Sequence, residues 1–150
     1  MSHEPVLRLV DAVTLPVPDL DQGLAFYRDE LGHELLWRND ELGQAGLRLP
    51  DSGTEIVLST RLEYAPNWLV ASVDDAVERI VVAGGSVLAG PTQIPVGRLA
   101  VVADPFGNAL VLLDLSAGHY VVDDNGQVTG VRSSHGSDAS SPHPTPPRVR

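Results

Sequence analysis

Between residues 7 and 116 the apolar positions follow two rhythms that take turns along the chain. "DAVTLPV" (11–17) and "EIVLST" (55–60) are short runs rich in β-branched residues, bounded by Pro, Asp, Ser and Gly, and they predict strands. Between them, "LDQGLAFYRDELG" (20–32) places Leu20, Leu24, Tyr27 and Leu31 on one helical stripe, with Pro18-Asp19 as a start and Gly32 as a stop. "HELLWRN" and "GLRLP" add two further strands, and "DSGT" is a turn. The rhythm then repeats. "WLVASV" (68–73) predicts a strand, Asp74-Asp75 a helix start, and "AVERIVVAGG" a helix with Ala76, Ile80 and Ala83 on its stripe. "SVLAG", "GRLAVVA", the turn "DPFGN" and the strand "ALVLLDL" complete it.

Laid side by side, Val17-Pro18-Asp19 matches Val73-Asp74-Asp75, and Gly53 to Leu58 matches Gly107 to Leu112. Each half reads as strand, helix, three strands. Neither half can bury its sheet face alone, so the two are expected to pack as one domain. The last strand runs apolar from Ala109 to Leu113 without alternation, which predicts cover on both faces. The expected organisation is a single domain over 1–118, built from repeats at about 7–60 and 66–116, with a hairpin extension at 119–132. In that hairpin, Asn125-Gly126 is the pair a type I′ turn demands. The Ser/Pro-rich stretch 133–150 has Val149 as its one aliphatic side chain and is expected to be a disordered tail.

Composition then removes whole classes of chemistry. The 150 residues contain no cysteine, which excludes disulfides, thiolate nucleophiles and Cys-ligated zinc. All ten basic residues are arginine, so Schiff-base chemistry and a P-loop lysine are excluded too. A net charge of −10 argues against nucleic acid or an anionic membrane as partner. The N-terminal stretch lacks a basic start followed by a long apolar run, so a cytoplasmic location is the expectation. No Ser-His-Asp or Cys-His constellation and no strand–GxGxxG–helix unit is present.

Two βαβββ units, with "VTLPVPDLDQGLAFYRDELG" opening the first and "DPFGN" before the last strand, resemble the glyoxalase / bleomycin-resistance / extradiol-dioxygenase group, the vicinal oxygen chelate superfamily. The resemblance covers about residues 7–116. It implies an α+β fold in which eight strands form a U-shaped mixed sheet, a half-barrel, with the helices on its convex face. It also implies a divalent metal on the concave side of the enzymes, held from the first strand of each unit and by a Glu in the last strand. Here those positions fall on Ala12, on Trp68 by the repeat alignment, on Val111, and on Val57 as its counterpart. None can ligate, so no metal and no cofactor are expected. His33 and His119 lie outside these positions, and Glu55 with Ser59 supplies too few oxygens for a hard cation.

Strand alternation extends the inward set. If Ala12, Val57, Trp68 and Val111 face the concave side, so should Thr14, Glu55, Ser59 and Val70. Ser72, Ala109 and Leu113 complete the candidate ligand pocket. Such a lining suits an uncharged or cationic, partly aromatic small molecule stacked on Trp68. Trp68 could equally be a core or dimer-interface residue, and Trp37 reads first as a sheet-edge residue. Glu55 is the candidate for a catalytic base, with a solvated strand-end glutamate the plainer reading. The leading expectation is a metal-free protein that binds a hydrophobic or aromatic compound, as the sequestering members of the group do. The resemblance implies that such a protein works as a homodimer. The alternative is a glyoxalase-like lyase or isomerase that uses acid/base residues instead of the metal. A third expectation is a scaffold whose concave face is filled by its own side chains.

Overall fold

The computed structural model describes residues 4–133. Eight strands form one open sheet: β1 (Leu9–Pro16), β2 (Leu35–Asn39), β3 (Gln44–Arg48), β4 (Glu55–Ser59), β5 (Ala65–Leu69), β6 (Ser86–Ile94), β7 (Gly97–Ala103) and β8 (Ala109–Asp114). Their order is β2-β3-β4-β1-β5-β8-β7-β6. β1 and β5 meet antiparallel at the centre, and each pairs in parallel with the last strand of its own half, β4 or β8. The remaining pairs are antiparallel, so the sheet is mixed. Helix α1 (Leu20–Leu24) follows β1 and α2 (Val73–Val82) follows β5. A separate two-stranded ribbon, β9 (His119–Val122) and β10 (Val128–Arg132), comes last.

Both helices pack on the same side of the sheet. Leu20 and Leu24 of α1 bury against Ala45, Leu47, Ile56 and Leu58, and Val73 and Ala76 of α2 against Ala100, Val102 and Leu112. Alternation sends the intervening residues Val57 and Leu113 to the other face, where they join Ala12, Trp37, Val96 and Tyr120 in a second core. Each fully buried leucine here contributes about 1.5–3 kcal/mol. The unalternated strand β8 is thus apolar on both faces for two different reasons, helices on one side and the concave core on the other.

Four local features differ from the expectations. β5 spans Ala65–Leu69, earlier than the "WLVASV" segment. Pro66 is tolerated inside this central strand because its pairing with β8 begins only at Asn67. α2 begins at Val73, two residues earlier than Asp75, because Ser72 caps it by accepting from the Asp75 N–H at 3.2 Å. α1 continues from Ala25 to Glu30 as a wider π-helical turn, in which the Leu31 N–H reaches back to the Phe26 carbonyl. That widening turns Leu31 off the core stripe and leaves it 52% exposed. In the β9–β10 loop only Gly126 takes a positive φ, of 81°, and its N–H bonds the Asp123 carbonyl. The loop is therefore a type I turn closed by a left-handed glycine, not a two-residue type I′ turn.

Candidate functional site

The concave face owes its shape to one close approach. Trp37 on β2 stands opposite Gly46 on β3, and a Cβ on Gly46 would come within 2.0 Å of the indole nitrogen. The absence of a side chain there lets the indole lie flat against the sheet, where it is 1% exposed. Its Nε1–H donates to Oε1 of Glu55 at 2.9 Å, and Glu55 is 2% exposed. Next along the concave row, Thr14 accepts at Oγ1 from Nδ2 of Asn67 at 3.1 Å.

Between these groups lies a cavity of about 190 Å³. Val57, Asn67 and Leu113 form its floor, and Trp37 with Tyr120 its aromatic wall. Val96, Leu99 and Ile94 close the side nearest β6 and β7. Leu42, Gln44 and Leu62, near the ends of the strands, complete it. No charged side chain lines it. Ser59 contributes indirectly: its Oγ accepts from the N–H groups of Arg61 and Leu62 and shapes the loop that carries Leu62. The polar groups on the lining residues are the amides of Gln44 and Asn67, the Tyr120 hydroxyl and the Trp37 indole N–H, the last already committed to Glu55.

Of the residues expected to face a ligand, Val57 and Leu113 line this cavity. Ala12, Thr14 and Glu55 lie buried in the same layer without lining it. Glu55 instead borders a separate cavity of about 120 Å³ with Leu36, Arg48 and Thr54. Val111 shares the register row of Asn67 and is half-buried, while Ala109, at the start of β8, is exposed. Trp68 and Val70 do not face the concave side, for both pack in the helix-side core with Val73, Ala76 and Leu112. Ser72 is occupied as the cap of α2.

The error at Trp68 has a definite cause. The caps of the two helices are Asp19 and Ser72, so matching Asp19 to Asp75 slips the repeat by three residues. An odd slip moves every side chain of a strand to the opposite face. The cap-to-cap offset carries Thr14 onto Asn67, and those two residues do share the concave face and a hydrogen bond. The signal that would have found this was present: Ser72 followed by Asp75 has the form of a capping box. Trp37 and Tyr120 were missed as a pair because their approach, 5.1 Å between ring centroids at 47°, joins segments far apart in sequence.

The donor set does not fit a resident metal ion. Alkyl side chains occupy Ala12, Val57 and Val111, and Trp68 points to the other side of the sheet. Asn67, whose Nδ2 donates to Thr14, offers one neutral amide oxygen, too few donors for a metal site. Among the described residues, no group of three or more His, Asp or Glu side chains is placed to hold a metal.

Two βαβββ halves on an open mixed sheet, helices on one face and a small cavity on the other, define a duplicated-module fold. The model of the Glyoxalase/Bleomycin resistance protein/Dioxygenase superfamily matches residues 9–112, and the chain belongs to that superfamily. An uncharacterised protein of Mycolicibacterium smegmatis is 32% identical over 108 residues, covering 68% of this chain and 90% of that protein. Among solved structures, methylmalonyl-CoA epimerase from Mycobacterium tuberculosis superposes with a TM-score of 0.59 at 22% identity, over 76% of this chain and 92% of the epimerase. A methylmalonyl-CoA epimerase in complex with methylmalonyl-CoA and NH4+ gives 0.58 at 23%, over 75% and 97%. At these identities the likeness is one of fold. No helix among the described residues is long and apolar enough to cross a membrane.

Proposed function

We propose that the protein binds, without a metal, a small uncharged aromatic or hydrophobic molecule in the concave cavity. The observation that carries this reading is the lining itself: two aromatic rings, aliphatic side chains, two amides and no charge. The absence of charge narrows the sequence-based expectation, which admitted a cationic ligand with Glu55 as its partner. Size narrows it further. An engineered apolar cavity of about 150 Å³ is known to take benzene, so about 190 Å³ suits one or two rings. The amide of Asn67 favours a ligand carrying an N–H or O–H donor, such as an indole or a phenol.

An acyl-CoA substrate of the kind the epimerase neighbour binds is not favoured, because its phosphates call for cations and the cavity has none. The acid/base lyase or isomerase reading keeps one specific observation in its support, a nearly fully buried carboxylate at Glu55. That carboxylate accepts from Trp37 and borders the smaller cavity, so it is not presented to a ligand beside Tyr120. Isothermal titration with indole and with indole-3-acetate tests the binding reading. We expect indole to bind and the carboxylate analogue to bind about tenfold weaker or not at all. Equal or tighter binding of the anion would contradict it.

A further inference from the structure

The open side of the sheet is crossed by the β9–β10 ribbon. At its base the N–H groups of Ala117 and Gly118 both donate to the carbonyl of Val96, in the β6–β7 turn. At its tip the Arg38 N–H of β2 donates to the carbonyl of Gly126 at 2.7 Å. β2 and β6 are the two outermost strands of the sheet. The ribbon is therefore a strap tied at its base to the β6–β7 turn, beside the end of β8, and at its tip to the outer strand β2. Its inward side chains Tyr120, Val122 and Val128 pack onto the concave core.

We infer that Tyr120 determines the size of the molecule this cavity accepts, an inference that rests on the binding reading above. Tyr120 is the strap's contribution to the cavity wall. Its ring, 7% exposed, faces Trp37. The two aromatic walls differ in how they are held. Trp37 lies on Gly46 and is fastened to Glu55, so it has nowhere to retreat. Tyr120 is carried on a two-stranded ribbon outside the main sheet, so shortening its side chain lengthens the cavity along the strap without disturbing the sheet. The native ring holds the ligand to one or two rings, and its loss admits a third.

The experiment compares the full chain with Tyr120→Ala, Tyr120→Leu and Tyr120→Phe, using two neutral probes. Indole, followed by calorimetry, fills the native cavity. N-phenyl-1-naphthylamine, followed by its own fluorescence, exceeds it. The wild type and Tyr120→Phe should bind indole and exclude the larger probe. Tyr120→Ala should bind the larger probe at least about tenfold more tightly than the wild type does. Tyr120→Leu keeps an apolar strap contact if the alanine variant fails to fold, and should show the same gain to a smaller degree. Unchanged affinity for the larger probe in a folded variant, with indole still bound by the wild type, overturns the role of Tyr120 and spares the binding reading. Failure of indole to bind, with a gain of the larger probe on shortening Tyr120, overturns the ligand class and spares the strap. No binding of either probe by any variant overturns both.

Discussion

The two halves of the chain share a plan but not their contents. In the first half the outer strand β2 buries Leu36 and Trp37, whereas its counterpart β6 in the second half is exposed along all but its last residue. β4 is buried from end to end, while β8 starts exposed and becomes buried only at Leu112. The difference follows from where the strap lands. It covers β2, where Gly46 makes room for an aromatic ring, and meets the second half through the Val96 carbonyl at its base and the aliphatic side chains of Ile94, Val96 and Leu113 in the concave core. β6 protects its free edge differently, through register shifts at Val87/Ala89 and Ala89/Thr92 that break the row of pairing groups. Duplication supplied a symmetric scaffold, and the ligand space is lopsided: an aromatic wall from the first half and the strap, an aliphatic wall from the second.

The strongest way to break this comparison is Trp37→Ala. It removes a fully buried ring and one of the hydrogen bonds to Glu55, and should cost about 3–5 kcal/mol in urea unfolding. A cost near that of a surface residue would deny the first half its special packing. In the second half the comparable anchor is polar. Burial pushes the Asp114 carboxyl up, but the Val73 N–H, the Ser116 hydroxyl and N–H, and the Arg98 N–H outweigh it and hold the group below its usual range. Asp114→Asn should cost about 1.5–3 kcal/mol near neutral pH. Because the folded value is lowered, this stabilisation is complete above about pH 4 and is lost as pH falls through the folded value. The variant should therefore show a flatter acid limb, and an unchanged limb would assign the acid sensitivity elsewhere.

A smaller effect is expected from Ser72→Ala, about 1 kcal/mol from the lost cap of α2, read as a lower thermal midpoint. No effect would argue that the helix starts at Asp74-Asp75 and would restore the original repeat alignment. The smallest belongs to the open edge. Leu88 on β6 is 57% exposed, and Leu88→Ala should stay within about 0.5 kcal/mol. A larger loss would show that β6 is covered in solution.

The order of strands and helices was legible in the sequence because periodicity, turn residues and the internal repeat all pointed the same way, and the mixed half-barrel arrangement followed from the family resemblance those motifs carry. The faces of β4 and β8 were legible too, since Ile56 and Leu58 alternate with Val57 and the turn before each strand sets its phase. β5 was not, because its polar inward residue Asn67 sits between Pro66 and Trp68, and the larger ring drew the assignment. The strap looked like an appendage because Tyr120, Val122 and Val128 find their partners only in three dimensions. Pattern reading locates elements; it does not foresee which distant element will close a cavity.

The two tryptophans allow the central claim to be tested directly, since Trp37 lines the cavity and Trp68 lies on the helix side of the sheet. In a ¹⁵N–¹H spectrum each indole N–H gives its own cross-peak. Titration with indole should produce a saturable shift of the Trp37 peak and leave the Trp68 peak in place. A shift confined to Trp68, or two peaks that never move, would contradict a ligand site in the concave cavity.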